Sequence, residues 1–155
     1  MVSPETLRRF PFFGDLTNDH LNAVAMLAEE VIYEIDETIF ETDTPADALY
    51  FLMDGCVDLH YVAADELNPE LRKDFFISEI NPGEPFGISA LIGPYRYTGT
   101  VRATCTTRAL KFDAPGLRAL CALDPKIHAA LMKQIAAAAM LRLHDTRVQL
   151  AAARA

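Results

Sequence analysis

Apolar residues between positions 18 and 30 recur at the spacing of one face of a helix. This period predicts a helix over residues 18–30 with one buried face, capped by the side-chain oxygen of Thr17 or Asn18. The apolar positions of that face are Leu21, Val24, Ala25, Ala28 and Val31. The aromatic residues at positions 10–13 are expected to seal the same core.

From residue 31 the pattern changes to short runs of β-branched, aromatic and aliphatic residues, separated by turn residues at intervals near ten. Such spacing predicts a small antiparallel sandwich or barrel. The polar stretch 63–74 predicts an exposed loop between two strands. The predicted strand runs are 31–35, 38–40, 49–53, 57–62, 75–77, 100–103 and 110–112.

The last third of the chain predicts a long helix. Asp124 is a cap residue, Pro125 suits the first helical position, and no helix breaker follows up to Ala155. Its apolar residues form two neighbouring stripes, one suited to the barrel and one to a twin helix. We expect a homodimer through residues 125–150. The alternative is a single helix on its own barrel, with the run of alanines at 136–139 reflecting helix propensity.

Size and composition fit one domain, because 155 residues with 51% apolar residues suffice for one substantial core. We expect a helical part at 1–30, a β-barrel at 31–113 and helices at 115–155. No apolar run reaches the roughly 20 residues that span a membrane, and no signal sequence is evident, which predicts a soluble cytoplasmic protein.

Charge is uneven along the chain. The net charge is −8, yet residues 1–50 carry 11 acids and 2 bases, whereas residues 104–155 carry 8 bases and 3 acids. Duplex DNA would meet mainly repulsion. The basic helix suits a solvated surface, an acidic protein partner, or the acidic half of its own or a twin subunit.

Candidate chemistry is sparse. The three cysteines, Cys56, Cys105 and Cys121, lack metal-binding spacing and are expected to be buried small apolar residues. The histidines are far apart in sequence, and no nucleophile or dinucleotide motif is present. The sequence therefore predicts a protein that is not an enzyme and holds no metal.

The segment 86–103 has the layout of a phosphate-binding loop. Gly87 permits close backbone approach, and residues 88–92 can form about one helical turn whose free N–H groups point at an anion. Arg96 and Arg102 add positive charge nearby. The segment resembles the phosphate-binding cassette of the cyclic nucleotide-binding domain family, the sensor of catabolite-activator (Crp/Fnr) regulators, whose pattern is Phe-Gly-Glu-x-Ala-Leu followed by Arg-x-Ala-Thr-Val-x-Ala.

This chain departs from the family pattern at two positions. Ile88 stands where the family has a ribose-binding Glu, and Tyr97 stands at the phosphate-binding Arg, with Arg96 one residue early. The resemblance implies cyclic AMP or cyclic GMP as ligand, and the departures from the pattern leave another small anion or a more apolar ligand as alternatives. It implies a site lined by Gly87, Ile88, Ser89, Ala90, Arg96, Tyr97, Thr98 and Gly99.

The resemblance also implies the fold: a mainly β, double-stranded β-helix (jelly roll) barrel with N-terminal helices and a long C-terminal helix. Residues 49–57 match its strand, turn and strand, with Gly55 as the turn glycine. The family usually has glycine in the turns around Asp36-Glu37 and 41–43. Since neither turn contains one here, we expect distorted or lengthened turns.

The implied function is a regulatory sensor module that couples ligand binding to the position of the C-terminal helix and to dimer geometry. No helix-turn-helix segment follows that helix in the sequence, which predicts no direct DNA binding. The alternative is a ligand-free interaction scaffold that docks protein partners after its own Ile88 and Tyr97 have filled the pocket.

Overall fold

The computed structural model describes residues 2–68 and 70–155. Within them, eight strands form two four-stranded antiparallel sheets, in the orders β1-β8-β3-β6 and β2-β7-β4-β5. The predicted mainly β barrel with flanking helices is confirmed. The strands are β1 (Ala28–Tyr33), β2 (Thr38–Phe40), β3 (Ala48–Asp54), β4 (Val57–Ala64), β5 (Arg72–Ile80), β6 (Pro85–Phe86), β7 (Thr100–Ala103) and β8 (Thr107–Asp113).

Four α-helices flank the sheets in the described residues. They are α1 (Pro4–Leu7), α2 (Asn18–Ala25), α3 (Ala114–Leu123) and α4 (Pro125–Ala153). Asp124 caps α4 by accepting a hydrogen bond from the Lys126 N–H, and Pro125 follows it, as predicted. Thr17 provides the cap of α2. None of these helices combines the length and the apolar character that a membrane crossing needs.

Two predicted boundaries were wrong. The helix ends at Ala25, and β1 already begins at Ala28, because Ala28 and its neighbours pair with β8. The polar stretch 63–74 is only partly a loop, because Ala63 and Ala64 continue β4 and pair with Lys73 and Arg72 of β5. Cross-strand hydrogen bonding thus extends the hairpin beyond its apolar residues. Pro69 lies outside the described residues.

One turn has the glycine that the family pattern places there, and two other turns have aspartate instead. Gly55 has φ +116°, and a Cβ there would lie 2.5 Å from the Thr107 Oγ1 atom, so both conformation and space require glycine. Asp36 and Asp43 have φ values of 69° and 61° in turns where the family uses glycine. Aspartate tolerates this left-handed region better than most residues.

The expectation of three buried cysteines was wrong. Cys56 is exposed and Cys105 half-buried, and the two form a disulfide with a Cα–Cα distance of 5.2 Å. The chain crosses between the sheets at both sites, from β3 to β4 and from β7 to β8. Folding therefore brings together two cysteines separated by 49 positions. Cys121 is free and half-buried in α3.

Two groups of aromatic residues dominate the two cores. The N-terminal cluster fills the space between the helices and the first sheet. The barrel cluster lies between the sheets, next to the segment that follows β6. The N-terminal cluster comprises Phe10, Phe12, Phe13, Phe51 and Phe112; the barrel cluster comprises Phe40, Tyr50, Phe86 and Tyr97.

Candidate functional site

A cavity of about 880 Å³ lies between the barrel and α4. Its walls come from β4, β5, the segment 86–99 and the C-terminal half of α4. Most lining side chains are aromatic or aliphatic, which is typical of a small-molecule site with a few polar groups. The aromatic lining residues are Phe40, Tyr61, Phe75, Phe76, Phe86 and Tyr97.

The segment after β6 turns sharply at the edge of this cavity. Gly87 has φ +73°, and a Cβ there would lie 3.1 Å from the Tyr97 ring and 3.2 Å from the Ala48 oxygen. A short 3-10 helix follows at Ile88–Leu91. Ile88 and Ser89 line the cavity, whereas Ala90 is fully buried in the core.

Tyr97 is held rigidly in the cavity wall. Its hydroxyl donates a 2.6 Å hydrogen bond to the Ala48 carbonyl, and its ring stacks on Phe40 with centroids 3.7 Å apart. Burial raises the pKa of Tyr97 to about 12, so the phenol is neutral at physiological pH. An uncharged, hydrogen-bonded ring therefore occupies the position that holds a cation in the family pattern.

Arg96 does not line the cavity. Its Nε donates to Asp43 Oδ1 at 2.8 Å, and its Nη2 donates to the Asp43 carbonyl oxygen. Both contacts tie the guanidinium to the turn between β2 and β3, where Asp43 has its positive φ. The one-residue offset in the sequence thus directs this arginine to a neighbouring turn.

The predicted site residues divide into two groups. Ala90 and Arg96 do not line the cavity, for the reasons just given. Gly99 packs closely on β4, since a Cβ there would lie 2.9 Å from the Leu59 Cδ1 atom. Whether any of these residues bind a ligand stays a prediction. The predicted residues that line the cavity are Gly87, Ile88, Ser89, Tyr97, Thr98 and Gly99.

A polar cluster that the sequence did not reveal lies on the β4–β5 side. Asp74 Oδ1 is 2.7 Å from His60 Nδ1, and Asp74 Oδ2 accepts from Arg102 Nη1 at 2.8 Å. Partial burial alone would raise the pKa of Asp74, but the hydrogen bond from Arg102 and the charges of His60 and Arg102 outweigh it and lower that pKa. The three residues are far apart in sequence, so only strand pairing unites them.

The helix α4 contributes the remaining wall. Arg142 is its central anchor: Nη2 donates to the Pro85 carbonyl at 2.8 Å, and Nη1 lies 3.4 Å from Glu84 Oε2. The Arg142 side chain is only 15% exposed, so this contact fixes the helix against the start of β6. The α4 residues that line the cavity are Ala139, Arg142, Thr146, Gln149, Leu150 and Ala153.

Sequence comparison identifies relatives of the chain. Residues 30–124 match the sequence model of the cyclic nucleotide-binding domain. A candidate potassium channel protein of Rhodopseudomonas palustris is 31% identical over 127 residues, which is 82% of this chain and 29% of that protein. The chain thus spans less than a third of the length of this curated relative.

Solved structures share the architecture. A candidate cyclic nucleotide-binding protein of Geobacter metallireducens GS-15 aligns with a TM-score of 0.81 and 34% identity, covering 93% of this chain and all of that one. The catabolite activator protein of Thermus thermophilus aligns with a TM-score of 0.67 and 21% identity, covering 92% of this chain and 63% of that one. The second similarity shows the fold alone, and it agrees with the predicted jelly roll.

Proposed function

Because the chain belongs to the cyclic nucleotide-binding domain family, we propose that it is a regulatory module in which a small ligand in the cavity sets the position of α4. The cyclic nucleotide-binding domain is a regulatory domain, which supports the prediction that the chain is not an enzyme. The coupling of ligand to helix position is the proposed step.

The observation that carries the proposal is that one cavity wall belongs to α4. A ligand in the cavity contacts Ala139, Thr146 and Leu150 directly, along three turns of the helix. A ligand that makes better contacts in one helix position than in another shifts the population toward that position. The anchor at Arg142 would serve as the pivot, because it holds the middle of the helix to Glu84 and Pro85.

The output of the module would pass through a homodimer. Beyond the cavity, α4 leaves apolar side chains open to solvent, and a second copy of the helix would cover them. A shift of α4 would then change the angle between two subunits. The predicted cytoplasmic location and the absence of direct DNA contact remain predictions. The exposed apolar residues outside the cavity lining are Met140, Leu141, Leu143 and Val148.

The second candidate is the ligand-free scaffold, and Tyr97 favours it. This ring already has a stacking partner in Phe40 and a hydrogen-bond acceptor in Ala48, so it needs no ligand to be stable. Ile88 adds apolar volume where the family has a carboxylate. A scaffold of this kind would bind no small molecule in the cavity.

Hydrogen exchange measured by mass spectrometry tests the proposal. The protein is titrated by calorimetry with cyclic AMP, cyclic GMP and the uncharged dye N-phenyl-1-naphthylamine, and amide exchange in residues 125–153 is compared with and without each. We expect slower exchange in α4 with at least one of them. Binding without any change in α4 would contradict the coupling, and no binding by any of the three would favour the scaffold.

A further inference from the structure

The charged groups around the cavity are already neutralised by one another. Arg142 Nη1 lies 3.4 Å from Glu84 and 3.9 Å from Asp145, and its other nitrogen is used by the Pro85 carbonyl. Across the cavity, Asp74 is shared by His60 and Arg102. A phosphate binds best to a cation that has no anionic partner. Within residues 2–68 and 70–155, the cavity lining contains no such cation.

Apart from these charged groups, the cavity lining is largely aromatic. Phe75 and Phe76 of β5 both contribute to the cavity lining and are 49% and 42% exposed. As neighbours on one strand they lie on opposite faces of it, where Phe75 stacks on Tyr61 and Phe76 meets His60 edge to face. The stacked pair of Phe40 and Tyr97 also lines the cavity. Aromatic rings that are partly exposed in a cavity gain stability when an apolar molecule displaces water from them.

Neutral hydrogen-bonding side chains line the cavity on α4, at Thr146 and Gln149, and on the segment 86–99. The hydroxyls of Ser89 and Thr98 lie 3.5 Å apart beside the short 3-10 helix. Each can donate to or accept from an uncharged hydroxyl, amine or amide on a ligand. The cavity of about 880 Å³ has room for a molecule of several fused or linked rings.

From these observations we propose that the cavity binds an uncharged aromatic small molecule, in contact with the aromatic residues of β5 and with the Phe40–Tyr97 pair, and not a cyclic nucleotide. The inference rests on the proposed function, because it names the ligand class of the same cavity. It changes the chemistry of the ligand and leaves the role of α4 as it stands.

Fluorescence titration with N-phenyl-1-naphthylamine tests the ligand class. We expect saturable binding of one dye per chain, unaffected by a hundredfold excess of cyclic AMP or cyclic GMP. Because no ion pair contributes, the dissociation constant should change less than twofold between 50 and 500 mM salt, about the range in which screening weakens charge-dependent binding.

Matched variants locate the dye. Ala139→Phe places a ring in the cavity, whereas Ala137→Phe places the same ring on an exposed part of α4 outside the cavity lining. We expect at least tenfold weaker binding for Ala139→Phe and an unchanged constant for Ala137→Phe. Gln149→Trp fills the cavity from a second position, and it replaces Ala139→Phe if that variant fails to melt cooperatively.

The outcomes separate the two proposals. Equal dye binding by Ala139→Phe and Ala137→Phe, or no dye binding at all, overturns the aromatic ligand class. Micromolar binding of cyclic AMP that Ala139→Phe abolishes also overturns it, yet leaves the sensor function intact. Dye binding in the cavity without a change of exchange in residues 125–153 supports the ligand class and contradicts the sensor function.

Discussion

The N-terminal cluster and the barrel cluster use the same kinds of side chain in different ways. In the N-terminal cluster the rings meet at steep or tilted angles, as between Phe12 and Phe51 at 70°, and Phe51 is fully buried. In the barrel cluster the rings are nearly parallel, as between Tyr50 and Phe86 at 7° and between Phe40 and Tyr97 at 12°. The second cluster borders the cavity, to whose lining Phe40, Phe86 and Tyr97 belong.

The difference shows how surroundings assign a role to an aromatic residue. Edge-to-face rings interlock from several directions, which closes the space between helices and sheet. Parallel rings form a column, and its free side stays open unless another element covers it. Here α4 passes over that side while Arg142 holds the helix at Glu84 and Pro85. One cluster therefore serves stability, and the other is available to a ligand.

Removing the central ring of the N-terminal cluster should have the largest effect. Phe51 contacts four other phenylalanines, so Phe51→Ala leaves a large cavity and should lower the free energy of unfolding by about 3–5 kcal/mol. Urea denaturation followed by circular dichroism measures this. Phe51→Leu, which keeps most of the volume, is the control and should lose clearly less. Similar losses for both would contradict the role of packing.

The corresponding change in the barrel cluster should affect stability less and ligand binding more. Phe40 is half-buried and stacks on Tyr97, so Phe40→Ala should lower the free energy of unfolding by about 2 kcal/mol. The same variant should weaken binding of N-phenyl-1-naphthylamine about tenfold, whereas Phe51→Leu should leave it unchanged. If both variants bind the dye as the unaltered protein does, the two clusters do not differ in function.

A smaller change tests the hydrogen bond alone. Tyr97→Phe keeps the stacked ring and removes the hydroxyl that donates to the Ala48 carbonyl. Since that carbonyl is buried, we expect a loss of about 1 kcal/mol in the free energy of unfolding and little change in dye affinity. Thermal denaturation and the dye titration give both values. A dye affinity that falls as far as in Phe40→Ala would assign the hydroxyl to the ligand.

The smallest predicted effect depends on pH. The pKa of Asp74 is lowered from its ordinary 3.8 in the folded protein, so its ionised form stabilises the fold above that pH, and this contribution is lost as pH falls through the lowered pKa. Urea denaturation at pH 7 and pH 3 should show unaltered protein more stable than Asp74→Asn at pH 7, by a margin in the free energy of unfolding that is smaller at pH 3. If the difference in the free energy of unfolding between the two proteins is the same at both pH values, the ionisation of Asp74 is not its cause.

Much of the fold was predictable because it depends on local pattern. The cap at Asp124, the turn glycine at Gly55 and the short strand runs all act over a few residues, and the structure has them where the sequence indicated. The predicted strand boundaries were wrong where they depend on pairing with a strand that is distant in the sequence. The strand β1 begins three residues early because β8 lies beside it, and β4 and β5 extend into a polar stretch because they pair with each other.

The site was predictable only on one side. The segment 86–99 was identified by its motif, and most of the residues proposed from it line the cavity. The rest of the cavity lining was not predicted, because His60, Asp74 and Arg142 belong to no contiguous sequence pattern. An isolated histidine in a strand or arginine in a basic helix indicates a solvated surface as readily as a cavity wall. The disulfide between Cys56 and Cys105 was not predicted for the same reason.

The sequence by itself determined the class of fold, the long C-terminal helix and the loss of the charged partners at positions 88 and 97, since residue identity and short-range periodicity carry this information. Only the tertiary structure decided that Arg96 binds Asp43, that Tyr97 completes an aromatic wall, and that α4 encloses the cavity. Such outcomes depend on which surfaces meet when strands pair and helices pack, and contacts between residues far apart in the chain leave no local signal.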